Sequence, residues 1–170
     1  RVHYSLDLYG LRCDEFHVTG PKVGESFARF RISPGDLMLG DRAYGHLKGF
    51  RYVLGHGGHF LTRLKNKAFI LRDAAGSTPP LAHLVEPLEV GEAGNWALVG
   101  QAKGQEDVEL RICALRLSEE AAAQSIRRAQ KELSKKQRSI DPETLAQHRN
   151  DILATTLPDS LSARQVLELY

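Results

Sequence analysis

The sequence predicts an α/β fold, and three observations carry that prediction. Strand-like and helix-like stretches alternate along the chain instead of segregating into separate halves. Leu37-Met38-Leu39 is apolar without alternation, the pattern of a strand covered on both faces in a parallel or central position. RVHYSLDL at the start alternates with period two, as a half-covered antiparallel strand does. With 170 residues, 42% of them apolar, the chain is long enough for one sizeable core.

Each element follows from local pattern. In RVHYSLDL, Val2, Tyr4, Leu6 and Leu8 share one face and are expected inward, with Arg1, His3, Ser5 and Asp7 outward. A turn at Gly10 leads into LRCDEFHV, an antiparallel partner whose alternation slips around Asp14-Glu15, the mark of a bulge. Gly20-Pro21 opens a short helix running to Arg29, closed by Ser33-Pro34-Gly35. After the Leu37–Leu39 strand, GHLKGFRYVLGHGG is a helix with Leu47, Phe50, Tyr52 and Leu54 on its apolar side and glycines from Gly55 to end it. HFLTRLK is the next strand.

The character changes after Arg72. DAAGSTPP is turn material, and strands are predicted at Leu84-Val85, Trp96–Val99 and Val108–Leu117. The chain therefore divides into 1–72, a β-rich insertion over 73–117, and a return over 118–170. Ser118 caps a helix reaching about Arg138, with Ala122, Ile126, Ala129 and Leu133 on one face. Glu119 and Glu120 at its start and Lys135, Lys136 and Arg138 at its end complement the helix dipole. A further helix follows Asp141-Pro142, then the strand ILATTLP, then a capping box at Ser162–Gln165 with Leu161 and Val166 as a hydrophobic staple. The absence of a leading methionine and a last helix reaching only to Tyr170 read as an internal fragment.

Composition excludes several classes. No apolar run is long enough to span a membrane, and no secretory leader is present, so a cytoplasmic protein is expected. Cys13 and Cys113, with no metal-like pairing, are expected to be reduced core or near-core residues. The net charge of +2 says little, but its distribution says more. From Arg42 to Arg72 there are seven Lys or Arg and no acid; from Asp73 to Leu110 there are seven acids against Lys103 alone. The basic segment suits a phosphate backbone, and equally a solvated surface.

Asp41 leaves the apolar strand at its C-terminal end, where α/β proteins place ligands. It is a candidate hard-oxygen ligand for a divalent cation, or a turn residue accepting local backbone hydrogen bonds, or a partner in a local salt bridge. Asp7 reads as an exposed strand residue, and Asp14, Glu15 and Asp36 carry no distinguishing signal. His56 and His59 lack the further ligands of a zinc site and read as loop or sheet-edge histidines. No nucleophile elbow, P-loop, dinucleotide fingerprint or CxxC occurs.

The ordered combination RVHYSLDLYG, PKVGESFARF, GDLMLGDRAYG, HFLTRLK, a strand-rich insertion, ILATTLP and SARQVLELY resembles the catalytic domain of bacterial insertion-sequence transposases of the DDE class. More narrowly, it resembles the lineage whose last catalytic helix carries a Tyr-Arg-Glu-Lys signature. The resemblance implies a ribonuclease-H-like mixed sheet with flanking helices, interrupted by a β-rich insertion. It implies Asp41 as the second catalytic, metal-binding aspartate and Tyr170 as the tyrosine opening the signature. The first aspartate is then expected ahead of Arg1, and the signature's arginine, glutamate and lysine beyond Tyr170, so the fragment alone is expected to be inactive. Implied cofactors are Mg2+ or Mn2+, two ions in the complete site. Implied partners are double-stranded DNA at transposon ends and target DNA, bound by a dimer, with no membrane. Arg42, Arg63, Lys65 and Lys67 are the candidate DNA-binding residues. Another ribonuclease-H-like nuclease and a non-catalytic DNA-binding remnant remain as alternatives.

Overall fold

Strand β1 (Val2–Asp7) and strand β2 (Arg12–Val18) pair antiparallel in a two-stranded sheet of their own. In this computed structural model, which describes residues 1–65, 67–134 and 142–170, Ser5 lies opposite Glu15 and Leu6 opposite Cys13. Asp14 is thus the extra residue of a bulge, where the alternation slips. The Asp7 carboxylate accepts hydrogen bonds from the Tyr9 and Gly10 amides at 3.0 and 3.1 Å, closing the turn.

The predicted facing of this hairpin is reversed. Val2, Tyr4, Leu6 and Leu8 are each more than half exposed, whereas His3 is only 1% exposed. The inward polar face finds matched partners: the His3 ring bonds Glu25 and Thr19, and Glu15 accepts from the Arg31 amide at 2.7 Å. His17 meets Phe30 edge-on. Period two establishes that the faces differ, not which one turns inward.

The helix expected up to Arg29 is reduced to a single 3-10 turn, Phe27–Arg29, capped by Ser26. Gly20, Pro21 and Gly24 withhold helical propensity, while Phe27 and Phe30, three apart, share one buried side of the short turn.

Strand β3 (Leu37–Gly40), helix α1 (Leu47–Gly55) and strand β4 (His59–Arg63) follow, with β3 and β4 parallel. His46 caps α1, its Nδ1 accepting from the Gly49 amide while Nε2–H donates to the Glu25 carbonyl, each at 3.0 Å. Strand β5 (Ile70–Arg72), helix α2 (Leu81–Val85), strands β6 (Ala93–Gln101) and β7 (Val108–Arg116), helices α3 (Glu119–Ser134) and α4 (Pro142–Arg149), strand β8 (Asn150–Thr155) and helix α5 (Ala163–Glu168) complete the order. The expected strand at Leu84-Val85 lies in α2. Pro80 starts that helix, and Leu81 and Val85, one turn apart, are both buried. The proposed end of α3 at Lys135, Lys136 and Arg138 lies outside the described residues.

The main sheet is mixed, with six strands in the order β3-β4-β8-β7-β6-β5. Among the described residues only β3 and β4 are parallel, and every other neighbouring pair is antiparallel. Strand β3 packs on both faces, Met38 on one and Leu37 and Leu39 on the other, but it is only half-buried and lies at the sheet's edge rather than at its centre. Successive residues of the central strands divide the core. Phe60, Ile112 and Ala154 pack with Phe50 and Val53 of α1, Val85 of α2 and Ala146 of α4. Leu61, Cys113 and Leu153 pack on the opposite face with Ala163 and Val166 of α5. Cys113 is accordingly a free core thiol whose pKa is raised by burial, but Cys13 is exposed, contrary to expectation. Among the described residues no helix is long and apolar enough to cross a membrane.

Candidate functional site

The chain leaves β3 through a position that only glycine can fill. A Cβ at Gly40 would lie 2.8 Å from Phe27 Cζ and 2.9 Å from Tyr44 Cβ. Asp41 follows, with its Oδ1 accepting from the Ala43 amide at 2.8 Å and its carbonyl accepting from the Tyr44 amide at 3.1 Å. Tyr44 packs its ring against Phe27, with centroids 5.0 Å apart, so the turn is pinned to the core. Gly40→Ala is expected to cost about 1–3 kcal/mol through overpacking. Chemical denaturation measures this, and an unchanged midpoint would remove the close-approach account.

Tyr44 also gives this turn a pH dependence. Burial, then Glu25 and Asp41, raises its phenol pKa above the ordinary value. The folded state therefore holds its proton more tightly than the unfolded chain. That contribution is complete below the unfolded pKa and is lost as pH rises through the folded one. Denaturation between about pH 9 and 11 should show a stability decline that Tyr44→Phe makes shallower.

Asp41 thus does what a turn aspartate does, yet only one of its oxygens is used: Oδ2 has no hydrogen bond among the described residues. It retains the chemistry of a single hard-oxygen ligand. No group of three or more His, Cys, Asp or Glu side chains that could hold a metal occurs among the described residues. Asp41 suits one position of a metal site, and these residues do not form the rest of one. His56 Nδ1–H donates to the Tyr52 carbonyl at 2.8 Å and His59 Nδ1–H to the Thr156 carbonyl at 3.1 Å, so both are used structurally.

Arg63, Asp41, Arg42 and Asp151 gather around Tyr170. Arg63, the last residue of β4, donates from Nη2 to Asp151 Oδ1 at 3.0 Å, and its guanidinium carbon lies 5.7 Å from the centroid of the Tyr170 ring. Burial, then the adjacent Arg63, lowers the Arg42 pKa, while Asp151 and Tyr170 act in the other direction. Burial raises the Tyr170 phenol; Arg63, Asp41, Arg42 and Asp151 all act on it electrostatically. These five side chains come from the ends of β3, β4, β8 and α5, and only the tertiary fold gathers them.

Lys65 follows just after β4, its Cβ 3.4 Å from where a Gly45 Cβ would stand. With Lys67 it lines a hollow of about 180 Å³ bordered by Phe69, Pro79, Pro80 and Gln147. Neither lysine is among the charges acting on Arg42 or Tyr170. Asp151 is the residue that sequence reasoning missed. The strand was expected to start at Ile152, yet Asp151, Leu153 and Thr155 alternate on one face, and Leu153 lies opposite Arg63 in the ladder. No local pattern marks it: Asn150-Asp151-Ile152-Leu153-Ala154 runs from polar to apolar without alternation, and both faces are buried from Ile152 on.

Over its full length the chain is 25% identical to the transposase of insertion sequence element IS421 of Escherichia coli, covering 47% of that protein. It is equally similar, again over its full length, to the InsL protein of element IS186A of Escherichia coli K12, assigned as a transposase, covering 48% of it. By sequence, the chain is similar to insertion-sequence transposases. It spans about half the length of these curated relatives. No family model matches it. No solved structure matches it.

Proposed function

We propose that this chain is part of the catalytic domain of a DDE-class transposase with a ribonuclease-H-like core, acting on DNA ends of an insertion sequence. The observation that carries the reading is the full-length similarity to insertion-sequence transposases. Its support in the fold is Asp41 at the C-terminal end of a parallel strand pair, with Arg42 next to it in sequence and Arg63 close to Arg42. The complete set of three carboxylates and the magnesium or manganese chemistry are proposed for the parent protein, not for these 170 residues.

In that protein Asp41 would supply carboxylate oxygens to Mg2+ or Mn2+. A bound metal pair supplies an activated nucleophile and a stabilised leaving oxygen. This chain's own contribution is positional. The Gly40–Tyr44 turn holds Asp41 at the rim of the sheet, and Arg42 and Arg63 place two positive charges where a DNA phosphate would lie. Lys65 and Lys67 would extend that basic surface along duplex DNA, and Tyr170 would open the Tyr-Arg-Glu-Lys signature of the last catalytic helix. Dimeric assembly on transposon ends and transfer into target DNA belong to the same proposal, as does a cytoplasmic location.

The test uses the full parent protein and its Asp41→Ala variant with magnesium or manganese and DNA carrying the element's ends. Strand cleavage and joining are expected from the parent and lost in D41A. Undiminished activity in D41A would remove Asp41 from the chemistry. Cleavage without joining would favour a nuclease, and DNA binding without either a non-catalytic remnant.

A further inference from the structure

Asp151 raises a question that the proposed function leaves open. A carboxylate beside a surface meant for DNA repels phosphate, and it is not needed for packing, since its side chain is 42% exposed. Arg63 is 43% exposed, so a bare ion pair between the two would be screened and weak. The arrangement around the pair is more specific than that. Arg63 also lies over the Tyr170 ring, an additional cation–π restraint. Nη1 and Nε of Arg63 make no hydrogen bond among the described residues. Arg42, whose pKa is lowered by burial and then by Arg63, has no ion pair among them either.

We propose that Asp151 is a positioning residue. It holds Arg63 between itself and the Tyr170 ring, which leaves the Asp41 carboxylate unpaired and the remaining Arg63 donors available for a DNA phosphate. This rests on the transposase reading for the identity of the ligand. The physical reason is competition among nearby charges. Asp41 and Arg63 both act electrostatically on Tyr170, so Asp41 is the other carboxylate of this group that a freely rotating Arg63 guanidinium would meet, and pairing there would tie it up. Asp151 offers a partner on the adjacent strand, at 3.0 Å. Two of the five Arg63 N–H groups are on the Nη2 that Asp151 engages, and the others stay open.

The sign of the effect on DNA affinity separates this role from plain electrostatics. Binding of a short duplex carrying an element end is measured in EDTA, over a range of salt, for Asp151→Ala and Asp151→Asn in the native and Arg63→Ala backgrounds. If Asp151 merely adds negative charge, neutralising it tightens binding in both backgrounds. If it positions Arg63, D151A weakens binding by about threefold and lowers the salt slope by roughly one. The same change in the R63A background then produces no weakening. D151N, which keeps the side-chain shape and one acceptor oxygen, falls between the native chain and D151A and controls for misfolding. Tightening in both backgrounds, or equal weakening in both, overturns the proposal.

A readout without DNA keeps the inference separate from the reading beneath it. The δ-methylene protons of Arg63 should show a ring-current shift from Tyr170 in the NMR spectrum, collapsing in D151A and largely kept in D151N. If R42A and R63A leave duplex binding unchanged, the DNA interface fails, and a shift that still collapses preserves the positioning role. A shift unaltered in D151A overturns that role whatever the DNA results.

Discussion

Phe60→Ala should lower the free energy of unfolding by about 4 kcal/mol, the range for truncating a fully buried aromatic side chain. Phe60 is fully buried in β4, and its ring lies flat on Phe50 of α1, with centroids 3.8 Å apart and planes 3° from parallel. Phe69 meets Phe50 edge-on from a third direction. Removing Phe60 deletes the stack and leaves a void that neighbours on three elements would have to close. The backbone has little freedom to close it, because β4 is bonded on one side to β3 and on the other to β8. Phe60→Leu, which keeps most of the volume, should cost only about 1 kcal/mol. Urea denaturation followed by Trp96 fluorescence measures both, and similar losses for the two variants would contradict the packing account. The site should feel the loss, since Arg63 lies on the same strand.

Arg111→Ala should cost about 3 kcal/mol or more, for a different reason. Arg111 is only 6% exposed. Its Nη1 donates to the carbonyls of Leu157 and Pro158 at 3.1 and 2.7 Å, Nη2 to that of Leu161 at 3.0 Å, and Nε to Asn95 Oδ1 at 3.1 Å. One side chain therefore satisfies three carbonyls of the loop that carries the chain from β8 into α5. Without it those carbonyls lose their partner. The Asp159 carboxylate also pairs with Arg111 Nε at 2.9 Å, but its side chain is 82% exposed. Asp159→Ala should therefore change stability by less than about 1 kcal/mol. Denaturation of the two variants separates loop anchoring from ion pairing; equal losses would give the weight to the ion pair. R111A should also loosen α5 and lift Tyr170 away from Arg63, seen as loss of the Arg63 ring-current shift.

Much of the framework was legible because it depends on local rules. The capping box at Ser162 and Gln165 forms both of its reciprocal bonds, and Val166 is buried beside Leu161 as a staple should be. The bulge at Asp14 follows from a slipped alternation. The unalternating Leu37–Leu39 run gives a strand that packs on both faces, half-buried at the sheet's edge. Where reading failed, a non-local contact overrode a local signal. The hairpin's apolar face was assigned inward, but His3, Glu15 and His17 find partners on Glu25, Arg31 and Phe30 that no local pattern reveals. Leu84-Val85 suits a strand by composition, yet its burial against the core at a one-turn spacing from Leu81 makes it helical.

The candidate site divides in the same way. Asp41, Arg42 and Tyr170 could be singled out from the chain, because a strand end, a basic stretch and an ordered resemblance are one-dimensional features. Sequence alone also determined the alternation of strands and helices, their approximate limits and the likeness to insertion-sequence transposases. That Arg63 lies over Tyr170, that Asp151 holds it there, and that Arg42 shares their field while Asp41 keeps an oxygen free was decided only by the tertiary structure. Those groups are drawn from positions 41 to 170. They meet because β4 pairs with β8 and because Arg111 anchors the loop that returns α5 to the sheet, and such contacts depend on the packing of the whole sheet.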